Sequence, residues 1–546
     1  MRELDTGTAF FRRSEVVEAI EEIRRSHNLV VYAGAGVSID RSGLSWGKLV
    51  ENLLAPHVPK AKARRDFVER SGPLFAASAA HQFYIDTSPE PVDKRGIDAR
   101  QRMVDALRPL LYGPSLWRGG ELANAIADFI YIWHNSESAG ASGTIHNAAL
   151  VTTNYDDYLF AALLSAHEIA RSQAGSQIPG KTVMPKVRFP TQTDPLVEQR
   201  PEFADWLSQD LPLASEVSCI HLHGYLPSSH RRGSEHRFPV VSEHDYYRTA
   251  EYSEKTLTAL MTTSNAIMVG ASLTDPPLLR ALEATRESSH KRWALIGMER
   301  GTKGDPTGAD QRRMVKSRLS ALRVAPIFVD FHVQQAQFFR ELIAASKITA
   351  PRSKYNSPRA QLHYYARLGS WWKKLRLDSS RVRTEEMQFE VHDFLSEFVL
   401  PECRTILEAR DERLKVEVWI RWNPSSERVF RLFGSTVGVW VDQNAMRSEE
   451  ISLGTESIIV DTFREGRPQL RSDASYGGRW PTVLAVPVWS ESHQTEFVTS
   501  VIILASQSPS ETSALDERGN RASLADCTRF LQQVGNFLTE PSSWRA

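Results

Sequence analysis

Cysteine is scarce in this chain of 546 residues: Cys219, Cys403 and Cys527 stand far apart. With no Cys-x-x-Cys pair, neither a disulfide framework nor a cysteine zinc ribbon can be built, and a reducing compartment fits. No stretch approaches the ~18 apolar residues of a membrane span. The opening Met1-Arg-Glu-Leu-Asp-Thr-Gly7 lacks the apolar core of a signal peptide. A cytoplasmic protein with no membrane contact is therefore expected. Charge of one sign is also lacking, since 66 Lys plus Arg balance 66 Asp plus Glu. That balance removes overall steering toward nucleic acid, which is not expected as a partner. Internal repeats and long low-complexity tracts are absent. What is there suits packed cores: 41% apolar and 24% charged residues, over a length that suggests two to four domains.

The first two thirds alternate strand and helix signals. Residues 14–25 read as a helix with Val16, Val17, Ile20 and Ile23 on one face. Leu29-Val30-Val31-Tyr32 is a short apolar run ending at Gly34 and Gly36, the pattern of a buried strand entering a tight turn. Similar runs recur at 149–152, 217–222, 266–269, 294–296 and 327–329, with helical patterns such as 276–286 between them. Strands separated by helices imply crossovers, hence an α/β, doubly wound, mostly parallel sheet. The intervals 53–145 and 160–214 read as insertions, largely helical, beside it. The pattern fades near residue 348, and a polar run with two prolines over 349–358 marks a domain edge. The expected division is 1–348, a connector over 349–384, and a second domain over 385–546. There a helix over 385–410 precedes alternating strands at 415–422, 429–434, 482–489 and 497–504, and a helix over 523–538 follows. This predicts an α+β domain with an antiparallel sheet.

Four strand ends carry chemistry. Ala33-Gly34-Ala35-Gly36-Val37-Ser38 follows a strand; glycines allow a tight turn and close approach to a phosphate, and a helix N-terminus attracts anions. Ser38 adds a hydroxyl donor. A ligand-free turn would read the same way. Ile39 stands where a third glycine would complete the dehydrogenase fingerprint, and Gly43 to Lys48 has the wrong spacing for a Walker loop. Thr152-Thr153-Asn154-Tyr155-Asp156 ends another strand, where ligands bind in doubly wound sheets. Asn154 and Asp156 can address a ribose or simply cap the next helix. In Ile220-His221-Leu222-His223-Gly224, a histidine beside glycine suits acid/base work, or is an ordinary hydrogen-bonded side chain. No further ligand stands at a recognisable spacing, so no metal is expected. Val269-Gly270-Ala271-Ser272-Leu273-Thr274-Asp275-Pro276 repeats strand, glycine turn and helix start, with Asp275 or Thr274 placed to cap.

Taken in this order, the glycine turn, Asn154 with Asp156, His223-Gly224 and Gly270-Ala-Ser272 resemble the sirtuin-like NAD-binding fold over roughly residues 16–333. The nearest variety is similar to the prokaryotic sirtuin-like NADases of antiphage defence, which carry Thr-Thr-Asn-Tyr-Asp. The resemblance implies that Gly34, Ala35, Gly36 and Ser38 cradle the pyrophosphate and that Gly270 and Ser272 line the adenosine side. It implies that Asn154 holds the nicotinamide ribose or the attacking water and that Asp156 binds a ribose hydroxyl or orients Asn154. His223 would be the general base. The deacylases' zinc ribbon cannot form here. The Phe and Arg of their Gly-Ile-Pro-Asp-Phe-Arg loop are missing from Gly43-Leu-Ser-Trp-Gly-Lys48. Hydrolysis of NAD to nicotinamide and ADP-ribose, with no metal, is therefore the expected reaction. The rival expectations are an NAD or ADP-ribose sensor that does not cleave, and an NAD-dependent deacylase or ADP-ribosyltransferase.

Toward the C-terminus, Ser457-Ile-Ile-Val-Asp-Thr-Phe-Arg-Glu-Gly-Arg-Pro468, Arg479-Trp-Pro-Thr-Val-Leu-Ala-Val-Pro-Val488 and the strand at 498–504 resemble a GAF-like domain. The resemblance implies a sensor or oligomerisation role, with a cyclic nucleotide, another small molecule or a protein as activator, and a homo-oligomer as the assembly. Trp419, Trp422, Trp440 and Trp480 would line a ligand pocket, or serve as core and interface aromatics. Phe389, Phe394, Leu395, Phe398 and Val399 offer an apolar stripe for dimerisation.

Overall fold

The computed structural model describes residues 10–113, 120–135, 147–174, 186–188, 217–228, 239–297, 307–346, 381–423, 426–439, 447–451, 457–472, 479–489, 498–516 and 520–539. Strand β1 (Asn28–Ala33) turns Leu29, Val31 and Ala33 to one buried face and Val30 and Tyr32 to the other. A strand buried on both faces belongs in a parallel sheet covered by helices on each side. It is joined by β2 (Asn147–Thr152), β3 (Lys186–Arg188), β4 (Ser218–His221), β5 (Asn265–Val269), β6 (Arg292–Gly297) and β7 (Val324–Val329). Among the described residues these make a seven-stranded sheet of order β3-β4-β2-β1-β5-β6-β7, parallel at every pairing. One face is covered by α1 (Ser14–Arg24), α7 (Glu121–Asn135), α8 (Tyr158–Ala174) and α12 (Val333–Ser346). The other is covered by α9 (Glu243–Thr263), α10 (Pro276–Ala284) and α11 (Thr307–Ala321). Strand order reverses at β1, and the crevice at the carboxyl ends beside such a reversal is where α/β sheets bind ligands.

The expected insertion after β1 is helical. Helix α2 (Ala35–Ser42) leads into α3 (Trp46–Leu53), α4 (Ala61–Ser71), α5 (Pro73–Asp86) and α6 (Arg95–Tyr112). These pack a core of their own around Val50, Leu53, Ala77 and Leu107, which also takes in Tyr155 and Val241 at the sheet's edge. Most of the second expected insertion, beyond α8 and β3, lies outside the described residues.

Two glycine turns meet at the centre of the sheet. The Gly34 amide donates to the Val269 carbonyl at 2.9 Å and the Gly36 amide to the Gly270 carbonyl at 2.8 Å. A Cβ at Gly34 would stand 2.5 Å from the Gly270 carbonyl oxygen, and one at Gly36 would stand 2.7 Å from the Gly270 Cα. Backbone therefore touches backbone here, which no side chain permits.

Residues 381–539 form the antiparallel α+β unit that the alternation predicts. Strands β8 (Leu414–Asn423), β9 (Ser426–Ser435), β10 (Ser448–Glu450), β11 (Gln469–Ser472), β12 (Thr482–Trp489) and β13 (Val498–Ser506) form a six-stranded sheet of order β10-β9-β8-β13-β12-β11 among the described residues. Helices α13 (Arg381–Phe394), α14 (Leu400–Ile406) and α16 (Arg521–Thr539) cover one face, with a π-helical turn at Leu395–Val399 joining the first two. The connector up to residue 380 lies outside the described residues. Within the proposed dimerisation stripe, Leu395 and Val399 are core, whereas Phe389 and Phe398 are exposed.

The other face of this sheet, with α15 (Ile458–Glu465), continues the core of the first half: Phe463 packs on Phe331, and Trp419, Trp489 and Val333 share one apolar cluster. Trp419 is fully buried in it, and Trp480 packs against its edge. The side chain of Trp422 and all of Trp440 lie outside the described residues. Beyond α15, Arg467 donates from Nη1 to the Ile39 carbonyl of α2 at 2.9 Å. No helix among the described residues is long and apolar enough to cross a membrane.

The glycine contact has a measurable consequence. At Gly270, φ is +61° and an added Cβ would stand 2.7 Å from the Val37 nitrogen. Gly270→Ala is expected to destabilise by roughly 2 kcal/mol or more from strain and clash. Gly297→Ala, whose Cβ meets nothing within 4 Å, should stay within about 0.5 kcal/mol of the parent. Thermal melts of both variants check this.

Candidate functional site

A cleft of about 1050 Å³ opens at the carboxyl ends of the parallel strands. All nine residues singled out from sequence line it: Gly34, Ala35, Gly36 and Ser38 from β1–α2, Asn154 and Asp156 after β2, His223 after β4, and Gly270 and Ser272 after β5. The parallel register explains the convergence. Ala33 lies opposite Thr152 and Val269, and Thr152 opposite His221, so the four turns leave the sheet at one level.

Asn154 is held from several sides. Its Nδ2 donates to the Gly34 carbonyl at 3.0 Å and to the Ser38 hydroxyl at 2.8 Å, and its backbone amide donates to the Thr152 hydroxyl at 3.0 Å. A carbonyl only accepts, so the bond to Gly34 fixes which end of the amide is nitrogen. Both side-chain protons are spent, and Oδ1 has no protein partner among the described residues. The side chain therefore offers the cleft an acceptor.

Ser38 is placed differently from expectation. Its hydroxyl donates to Asp156 Oδ2 at 2.6 Å while accepting from Asn154, so its proton is turned away from any phosphate. The physical reason is the carboxylate: Asp156 is buried and needs donors. Its second oxygen accepts from the Tyr158 amide at 3.3 Å, at the start of α8. With both oxygens engaged inside the protein, Asp156 acts on Asn154 through Ser38. Burial outweighs these bonds and pushes the Asp156 carboxyl up to about 6.

The two histidines separate cleanly. His221 is sealed, with Nδ1 bonded to the Asn154 carbonyl at 2.8 Å, and burial pushes its imidazole down to about 4. It is thus neutral at neutral pH, and Nδ1 is the donor. His223 is half-buried and faces the cleft, with its backbone held by the Val240 amide donating to its carbonyl at 2.8 Å. Burial lowers its pKa and Asp275 opposes the fall.

Asp275 is the group that sequence reasoning misplaces. It stands at the N-cap position of α10 but makes no capping bond. Its carboxylate instead accepts from the Tyr246 hydroxyl of α9 and from the Tyr32 hydroxyl of β1 at 3.4 Å. The turn bearing it contains two left-handed residues, Gly270 and buried Leu273 at φ +55°. A left-handed leucine is strained, and such strain collects at functional sites. No local sequence signal marks Tyr32 or Tyr246 as partners of Asp275. Ser272 lies at the exposed rim, bonded to Thr274 at 2.7 Å. The first turn of α2 adds the positive end of a helix dipole beside Ala35.

The raised Asp156 carboxyl sets a stability test. Its folded value of about 6 exceeds the ordinary aspartate value of 3.8. The native state therefore binds the proton more tightly, and the associated stability is lost as pH rises through about 6. The cost above that pH is on the order of 3 kcal/mol. Asp156→Asn, which can still accept from Ser38, is expected to gain melting temperature relative to the parent at pH 8 and to lose that advantage at pH 5. Equal differences at both pH values would contradict the burial argument.

Residues 148–320 match the family model of the SIR2-like domain. The span runs from β2 through most of α11, taking in Asn154, Asp156, His223, Gly270, Ser272 and Asp275. The Gly34–Ser38 turn lies before it and joins the site through its bonds to Asn154. No curated protein matches the chain. SIR2-like domains use NAD, and residues 148–320, which bring Asn154 and His223 to this cleft, are similar to one.

Proposed function

We propose that the protein is an NAD glycohydrolase that cleaves the nicotinamide–ribose bond to give nicotinamide and ADP-ribose. The observation that carries the reading is the pairing, on one cleft, of an Asn154 acceptor that has no partner among the described residues with the half-buried His223 ring, beside two glycine turns. A cleft of about 1050 Å³ has room for a dinucleotide, being at the upper end of usual ligand pockets.

The chemistry follows from these placements. The C1′–N bond breaks with its electron pair leaving on nicotinamide, and positive charge develops on the ribose as in glycoside cleavage. Asn154 Oδ1 accepts from a ribose hydroxyl or from the attacking water. His223, neutral because burial lowers its pKa, takes one water proton as the oxygen bonds to C1′. The glycine turns and the start of α2 receive the pyrophosphate, with Gly270 and Ser272 toward the adenosine. Ser38 and Asp156 hold Asn154 in place. Gly47 and Lys48 stand where the deacylases carry their Phe and Arg, which favours water over an acyl-lysine acceptor.

An NADase needs control, and we further propose a regulated effector that depletes NAD in antiphage defence. The C-terminal domain, read as GAF-like, would sense a cyclic nucleotide, another small molecule or a protein, or assemble a homo-oligomer. Its physical route to the site is Arg467, bonded to the Ile39 carbonyl one residue after Ser38.

Chromatography of NAD products tests this, with purified protein alone and with cyclic nucleotides or phage lysate. Nicotinamide and ADP-ribose are expected in equal amounts. His223→Ala should lower turnover on the order of 100 to 10,000-fold with little change in melting temperature. His221→Ala, which strands the Asn154 carbonyl, should instead lose about 1–3 kcal/mol of stability. Full turnover in His223→Ala removes the assignment.

A further inference from the structure

The Asp275 carboxylate is unusual in its setting. It occupies a helix N-cap yet gives no bond to the helix amides, and two tyrosine hydroxyls from separate elements converge on it. Tyr246 links it to the site, since that ring meets the His223 ring edge-on with centroids 5.5 Å apart. Asp275, Tyr246, Tyr32 and His223 all line the cleft. A capping role would leave the carboxylate on the helix end. Here each of its oxygens accepts from a phenol, and one of the two, Tyr246, also meets the His223 ring.

We propose that Asp275 is the positioning residue for His223, a carboxylate clamped by Tyr246 and Tyr32 so that its negative charge stabilises the imidazolium formed when His223 takes the water proton. The proposal rests on the reading of His223 as base. The titratable and charged groups sharing the cleft with that ring are Tyr246 from α9, Asp275 from the β5–α10 turn, Tyr32 from β1, Tyr155 and Asp156 after β2, and Arg318 from α11. Among these, Asp275 is the charge that acts on His223, and it opposes the effect of burial. Tyr246 supplies the geometry: its hydroxyl fixes Asp275 while its ring fixes the imidazole. In chemical terms, no proton moves to Asp275. The proton stays on His223, and the carboxylate lowers the cost of holding it there.

The sign of the effect is definite. Removing the negative charge lowers the imidazole pKa, so more of the neutral base exists at low pH but each base is weaker. The experiment titrates His223 directly, by carbethoxylation with diethyl pyrocarbonate across pH 4.5–8.5, read by mass spectrometry of the His223 peptide. NAD turnover is followed in parallel. The variants are Asp275→Asn, which keeps the shape of the side chain, and Tyr246→Phe, which removes the clamping hydroxyl. In Asp275→Asn the reactivity midpoint of His223 is expected to fall by about half a pH unit or more. The acidic limb of kcat/KM should move with it, and kcat should drop about tenfold or more with KM changed far less. Tyr246→Phe should move the midpoint in the same direction by less. A midpoint unchanged in Asp275→Asn overturns the proposal, whatever the turnover. A midpoint that moves in an enzyme whose turnover survives His223→Ala upholds the coupling and removes the base reading, so the two failures are distinguishable.

Discussion

Both amide protons of Asn154 are consumed inside the protein, by the Gly34 carbonyl and the Ser38 hydroxyl. Everything else in the site depends on that clamp. It ties the turn after β2 to the turn after β1, 120 residues earlier in the chain, and it leaves one lone-pair-bearing oxygen facing the cleft. The clamp works only because β1 and β2 run parallel in register and because the Ser38 hydroxyl donates its own hydrogen bond to buried Asp156. A carboxylate sealed from water is costly unless it is bonded; here that cost holds the Asn154 amide at the cleft in a single orientation.

The same logic assigns the histidines. His221 spends its Nδ1 proton on the Asn154 carbonyl and is sealed, so it supports the backbone of the site. His223, two residues on, leaves the strand end, is half-buried, and meets the cleft. The glycines have an architectural function before any ligand one. Gly34 and Gly36 let α2 sit directly against the Gly270 turn, which brings the ends of β1 and β5 close enough to form one floor. The antiparallel sheet joins this assembly through a shared apolar core, and Arg467 bonds to α2, so the glycine turn is also supported from the C-terminal part of the chain.

Much of this was legible in the residues themselves. The parallel sheet follows from apolar runs spaced by helices, and each site residue sits where such a run ends. The antiparallel sheet of the second half follows from alternation at 415–422 and 482–489. What could not be read is which polar groups become partners. Ser38 and Asp156 are 118 residues apart, and nothing local directs the hydroxyl to the carboxylate instead of a phosphate. Asp275 before a proline is a good capping pattern, and only the convergence of Tyr32 and Tyr246 from β1 and α9 diverts it. Trp419 reads as pocket wall or as core, and burial in the shared core decides for the second.

The central claim is that Asn154 and His223 address one ribose in one cleft. The most direct measurement is a crystal structure of His223→Ala soaked with NAD. The account predicts the nicotinamide ribose within hydrogen-bond distance of Asn154 Oδ1, the pyrophosphate against the Gly34–Ser38 turn, and the space vacated by the imidazole beside C1′. A dinucleotide bound outside this cleft, or bound in it with Asn154 facing the adenine, would contradict the account.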